Sequence, residues 1–154
     1  MSIEIKKCAV LGAGVMGAQI AGHIANAGIP SLLFDINEDL AQKGVDGLTK
    51  LKPAPLFTSS NASLITPCTY ENDIEKLSDC DLIIEAVAEK IEIKHLVYKN
   101  LLPHLKSDAI LASNTSGIPL ANLVEVLPED VQKNFLIAHF FNPPRYLKLL
   151  ELVK

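Results

Sequence analysis

Apolar residues in this chain fall into short runs, separated by stretches in which apolar and polar positions mix at helical spacing. Runs of strand length occupy 7–11 (KCAVL), 31–34 (SLLF), 82–85 (LIIE), 110–112 (ILA) and 134–140 (NFLIAHF), with a weaker one near 64–66. Most are nearly unbroken, the pattern of strands covered on both faces. Residues 15–27 predict a first helix, ended by Gly28, which takes a left-handed cap without steric cost. A second is predicted over 92–105, with Ile93, Leu96, Val97, Leu101 and Leu105 on one side, and a third over 119–126, opened by Pro119. Strands alternating with helices predict an α/β fold: a doubly wound, mostly parallel sheet of the Rossmann dinucleotide-binding kind, a single domain over 1–154. Residues 52–69, KPAPLFTSSNASLITPCT, hold three prolines and several Ser and Asn, and read as a surface loop.

Composition narrows the function classes. The 154 residues are 49% hydrophobic and 21% charged, with a formal net charge of −4, and the basic residues are scattered, so no basic face is available for nucleic acid or an anionic membrane. Apolar runs such as VMGAQIAGHIANAGI are interrupted by Gln19, His23 and Asn26, which argues against membrane insertion, and MSIEIKK lacks the apolar core of a secretory signal. Cys8, Cys68 and Cys80 are odd in number and form no CxxC pair, so a reduced, cytoplasmic protein without a metal site is expected.

CAVLGAGVMGAQIA then supplies chemistry. Gly12, Gly14 and Gly17 form GxGxxG directly after an apolar strand and at the start of a helix. In that context Gly12 permits the tight turn, Gly14 the close approach of a pyrophosphate, and Gly17 the packing of helix on strand. The segment from Gly12 through Ala13, Gly14, Val15 and Met16 to Gly17 is therefore read as cofactor-binding, with the free N–H groups of the helix start facing the negative charge. Asp35, eighteen positions past Gly17 at the end of LLFD, is placed to bond the ribose hydroxyls. A carboxylate there repels a 2′-phosphate and no Arg follows in INEDLAQ, so the cofactor predicted is NAD rather than NADP.

Ligands of such sheets bind outside the C-terminal ends of the strands. Three polar groups fall there: Glu85 and Glu89 after LII, Ser113 to Ser116 after ILA, and His139 near the end of NFLIAHFF. Each has a plainer reading, as a helix-capping turn for SNTSG, a surface charge pair for Glu89 and Lys94, and a satisfied core imidazole for His139. Glu151 tips the balance. PPRY breaks the strand and LKLLELV resumes an extended run, so the two segments are expected to return as a hairpin that brings Glu151 beside His139. Imidazole, with an unperturbed pKa of about 6.5, suits removal of a hydroxyl proton, and a carboxylate on its far nitrogen fixes the tautomer. Such a base-and-orienter pair without a nucleophile fits an oxidoreductase, with Ser116 and Asn142 left to hold the substrate oxygen. A hydroxy acid dehydrogenase using a lysine, and an NAD-sensing module without chemistry, are the alternatives.

GAGVMGAQIA, EAVAEKIEIK, SNTSG and HFFNPPRYLKLLELV, in this order, closely resemble the NAD-binding domain of the 3-hydroxyacyl-CoA dehydrogenases, enzymes of fatty-acid β-oxidation. The resemblance implies that His139 is the catalytic base and Glu151 its partner, that Ser116 and Asn142 line the active site, and that Asp35, Glu89, Lys94 and Ser116 touch NAD. It implies an acyl-CoA substrate, and a full-length protein that is a homo-oligomer or part of a multifunctional β-oxidation polypeptide. Two departures stand out. The family's all-helical domain is expected where this chain stops, at Lys154. The long helical hairpin after the second strand, part of which clamps CoA, has only 38–52 available, so Lys43, Lys50 and Lys52 are left unassigned.

Overall fold

The computed structural model describes residues 4–154; Met1 to Ile3, the start of the MSIEIKK segment, lie outside the described residues. One seven-stranded sheet organises them, in the order β3-β2-β1-β4-β5-β6-β7. β1 (Cys8–Leu11), β2 (Ser31–Asp35), β3 (Ile65–Thr69), β4 (Leu82–Glu85), β5 (Ile110–Ser113) and β6 (Phe135–Phe140) run parallel, and β7 (Leu150–Val153) closes the edge antiparallel to β6. The chain reverses its direction of travel across the sheet between β1 and β4, the place where such sheets open a crevice.

The unbroken apolar runs are explained by cover on both faces. Alternate residues point opposite ways: Val10, Leu33, Ile84 and Ala112 pack with α1 (Val15–Asn26) and α2 (Glu38–Gly47), while Ala9, Leu11, Phe34, Ile83 and Leu111 pack beneath α4 (Ile91–Leu101) and α5 (Leu120–Val124). Gly28 adopts φ +78° directly after the first helix, as its left-handed cap requires.

Three differences from the expected elements have physical causes. The loop predicted over 52–69 ends early: Ser59–Leu64 forms a 3-10 turn and Ile65–Thr69 is β3, where the weaker run near 64–66 suggests a strand. Pro67 is admitted because β3 is an edge strand, where a missing N–H has no partner to lose. Two short helices went unforeseen, α3 (Tyr70–Asp73) and α6 (Glu129–Gln132). Thr69 nucleates the former, its hydroxyl accepting from Asn72 N at 3.2 Å while Asp73 accepts from Thr69 N at 2.8 Å, a reciprocal cap. Finally, the helix predicted over 92–105 buries Lys94, Tyr98 and Leu101, four and three residues apart, whereas Leu96 is 60% exposed. Its buried stripe runs through a lysine and a tyrosine, so the face expected from apolar positions is only partly right: Leu101 is buried and Val97 and Leu105 pack against the core, while Ile93 and Leu96 are exposed. Among the described residues no helix is long and apolar enough to cross a membrane.

Candidate functional site

The glycine loop sits at the reversal point. Gly12 has φ +100°, and a Cβ there would stand 2.6 Å from the carbonyl oxygen of Ala86, which follows β4. A Cβ on Gly17 would stand 1.7 Å from the carbonyl oxygen of Gly12, so only glycine lets α1 lie this close to the turn. Gly14 differs: nothing lies within 4 Å of the position its Cβ would take. It is the N-cap of α1, has no side chain to satisfy the first N–H groups, and leaves them facing open space beside the exposed Val15. An anion fits there, held by backbone donors and the positive end of the helix.

Asp35 ends β2 beside this loop. One carboxylate oxygen accepts from Ala13 N at 2.8 Å and the other from Ile36 N at 2.7 Å, which ties the turn to the strand end and leaves further lone pairs for hydroxyls. Asp35, Gly12, Gly14 and Tyr70 line a cavity of about 290 Å3. A second cleft, of about 410 Å3, is lined by Met16, Glu89, Asn114, Ser116, His139 and Asn142, and the two share Ala86 and Val87. The two adjoin at Ala86 and Val87 beside the glycine loop, so a groove from Asp35 toward His139 is lined by that loop, and its backbone donors and carboxylate suit a dinucleotide.

Behind the groove lies an ionic cluster. Glu85 was expected to face the crevice; it is instead fully buried, accepting from Lys94 Nζ at 2.6 Å, Tyr98 Oη at 2.9 Å, Ser113 Oγ at 2.7 Å and Val87 N at 2.9 Å. Lys94 is 1% exposed, so it is no surface partner, and its ammonium also stands 3.3 Å from Glu89. The structure brings Lys94 to the groove only through Glu89. The Glu89 carboxylate accepts from the hydroxyl of Thr115, from Ser116 N at 3.0 Å and from Gly117 N at 3.2 Å. Partial burial works to raise its pKa, but these hydrogen bonds and Lys94 outweigh it and hold the carboxyl below the usual carboxylate range. Thr115 lies within the Ser113 to Ser116 run without a role of its own in the sequence reading; its hydroxyl also accepts from Ile118 N at 3.1 Å, and its central place in SNTSG is the signal for it.

The hairpin forms as expected, with His139 directly opposite Glu151 in the β6–β7 register. His139 Nδ1 lies 2.9 Å from Glu151 Oε2. Because a carboxylate only accepts, the pair places the ring proton on Nδ1 and leaves Nε2 as the basic nitrogen. The imidazole is 21% exposed and packs against the Phe141 ring, centroids 4.7 Å apart. The end of β6 is fixed by Phe140 N donating to Asn114 Oδ1 at 2.9 Å, and Asn142 accepts from Gln19 Nε2 at 3.4 Å. Ser116 lines both the His139 cleft and a neighbouring cavity of about 200 Å3 that Glu151 also borders. His139, Ser116, Asn142 and Glu89 thus meet at one cleft, while Asp35 and Gly14 lie along the groove from it.

A doubly wound dinucleotide-binding domain with a carboxylate-backed imidazole at the far end of its groove is the class these features define. The chain belongs to the family described as 3-hydroxyacyl-CoA dehydrogenase, NAD binding domain, whose pattern matches residues 7–154. It is accordingly an NAD-binding domain. It is 46% identical to a protein of Deinococcus radiodurans named "Probable 3-hydroxyacyl-CoA dehydrogenase", covering 98% of this chain and 46% of that one. It is 36% identical to a fatty acid oxidation complex subunit alpha of a Psychrobacter species, over 98% of this chain and 21% of the relative. Among solved structures, FadB2 of M. tuberculosis superposes with a TM-score of 0.85 at 34% identity, covering 99% of this chain and 55% of that one. The (S)-3-hydroxybutyryl-CoA dehydrogenase PaaH1 of Ralstonia eutropha gives 0.81 at 31%, covering 97% and 54%. The chain spans from about a fifth to about a half of the length of these proteins.

Proposed function

We propose that this chain is the cofactor half of an NAD-dependent 3-hydroxyacyl-CoA dehydrogenase, oxidising the 3-hydroxyl of an acyl-CoA to a 3-keto group in fatty-acid β-oxidation. The observation that carries the reading is the 2.9 Å contact of His139 Nδ1 with Glu151, at a cleft that the glycine loop's groove enters. Bound NAD supplies the acceptor for a hydride. His139 Nε2 takes the hydroxyl proton as the substrate C–H bond gives up its electron pair, and a carbonyl remains. Glu151 stabilises the imidazolium so formed, because a charge beside it in a partly dry site is worth more than in water. Ser116 and Asn142 hold the substrate oxygen, and Gly12, Ala13, Gly14, Val15, Met16, Gly17, Asp35 and Glu89 hold the cofactor, with Lys94 acting through Glu89.

An acid-base lysine, as in other hydroxy acid dehydrogenases, has no support: among the described residues no lysine lines the His139 cleft, and Lys94, which pairs with Glu89 there, is buried against Glu85. The His139–Glu151 contact likewise favours catalysis over a purely NAD-sensing module. In this reading a helical domain following this one closes the acyl-CoA site, and the complete protein is a homo-oligomer or part of a multifunctional β-oxidation polypeptide; for the latter, the names of two relatives, a fatty acid oxidation complex trifunctional enzyme and a fatty acid oxidation complex subunit alpha, give support. A reducing, cytoplasmic setting suits the three thiols, all buried and unpaired, with burial pushing Cys8 and Cys80 up to about 12.

The test is calorimetric titration with NADH, then turnover of 3-hydroxybutyryl-CoA with NAD. Binding on the order of micromolar is expected. The 154-residue chain alone is expected to turn over poorly and the complete protein well. Absence of NADH binding to either contradicts the reading.

A further inference from the structure

Resting on the proposed NAD-linked reading, the charge balance of the cleft carries a second conclusion. We propose that the Glu85–Lys94–Glu89 chain leaves one uncompensated negative charge beside the reacting end of the cofactor, and that Glu89 thereby selects the oxidised over the reduced form.

Three side chains set the charge. Glu85 and Lys94 are both buried and joined at 2.6 Å, so the one ammonium is committed to the deeper carboxylate. Its second contact, with Glu89, is longer, at 3.3 Å. Two carboxylates share one cation, and the surplus charge rests on Glu89, whose side chain is 43% exposed and lines the cleft. Glu89 and His139 are the two titratable groups lining that cleft. Hydride transfer requires the nicotinamide ring to reach the carbon beside His139, which places it in the cleft that Glu89 borders. The oxidised ring carries a positive charge and the reduced ring none, so Glu89 attracts one form and is indifferent to the other.

The chemistry gives this a purpose. As substrate loses its hydride and proton, one positive charge disappears from the cofactor ring and one appears on His139. Glu89 stabilises the charge before the step and Glu151, 2.9 Å from the imidazole, stabilises it afterwards. One carboxylate lining the cleft and another behind His139 therefore keep the internal equilibrium from falling entirely to one side.

Glu89→Gln in the full-length protein tests it, because the amide oxygen preserves an acceptor for Thr115, Ser116 and Gly117 while removing the charge. Calorimetric titrations with NAD, NADH and ADP-ribose, which lacks the nicotinamide, provide the readout. The expected result is about ten-fold weaker NAD binding, the size of one charge pair across several ångströms of partly hydrated protein, with NADH and ADP-ribose within about two-fold of wild type. Equal weakening of all three ligands means Glu89 only braces the loop, and no change in any means the charge is screened; either overturns the inference while leaving the cofactor assignment intact. Wild-type protein that binds none of the three overturns both.

Discussion

At Lys94 one ammonium holds two carboxylates in the fold. Removing it by Lys94→Met leaves Glu85 charged, buried and without its counter-ion, which is expected to cost about 3–5 kcal/mol in chemical denaturation. The double variant Glu85→Gln with Lys94→Met is expected to recover much of that loss, since a neutral amide still accepts from Ser113 and Tyr98. If the double variant is no more stable than the single, the ion pair is not what holds the cluster. At the other carboxylate, Glu151→Gln removes the charge behind His139, and turnover in steady-state assays is expected to fall on the order of 10²-fold or more while NADH affinity holds. An unchanged rate would mean that the carboxylate orients nothing. These two sites differ in how far the sequence reveals them. His139 and Glu151 are legible because a short break between two extended runs forces a hairpin. Glu85 and Lys94 are not, since a lysine four residues before a tyrosine reads as solvated until the sheet supplies a buried carboxylate.

On the scale of elements, the three glycines of the loop do separate jobs. Gly17→Ala drives a methyl to 1.7 Å from the Gly12 carbonyl oxygen, a backbone atom that cannot step aside, and about 3 kcal/mol or more of destabilisation is expected. Gly14→Ala meets nothing and is expected to leave the melting temperature within about 2 °C of wild type while weakening NADH binding, because its methyl occupies the space a pyrophosphate needs. Equal effects of the two on melting would contradict this division. The loop was readable because strand, turn, helix and acid all lie within a few tens of residues. β3 was half-readable: Pro67 marks a loop, and only an edge position, a property of the whole sheet, allows a strand through it. The stretch after Leu51 acquires order from afar, since Arg145 Nη1 donates to the carbonyls of Ala54 at 2.7 Å and Leu56 at 2.6 Å and stacks 4.7 Å over Phe57. No local pattern announces a contact across some ninety residues.

For the molecule as a whole, one carboxylate fastens the start of the described chain to the middle of the sheet. Asp81 accepts from Lys6 N at 2.7 Å, from Lys7 N at 3.1 Å and from the Lys106 ammonium. The hydrogen bond from Lys106, then that from Lys6, holds its pKa down at about 2, below the unfolded value of about 3.9. A depressed folded pKa contributes stability that is complete above about pH 4 and lost as pH falls toward 2. Asp81→Asn is therefore expected to be less stable than wild type in urea at neutral pH, with the gap closing between pH 4 and pH 2; a gap that is constant with pH would contradict the assignment. The fold class was legible from the alternation of runs and the site's location from the strand ends, because both follow from cover on two faces of a parallel sheet. Which helical face is buried was only partly so, because that depends on what the sheet presents beneath it.

The central claim is that His139 removes a proton as hydride leaves. It is tested most directly by the single-turnover rate of hydride transfer in full-length His139→Gln, with 3-hydroxybutyryl-CoA and saturating NAD. A fall on the order of 10² to 10⁴ fold with NADH affinity intact is the result expected for loss of a general base, and a rate equal to wild type would contradict it.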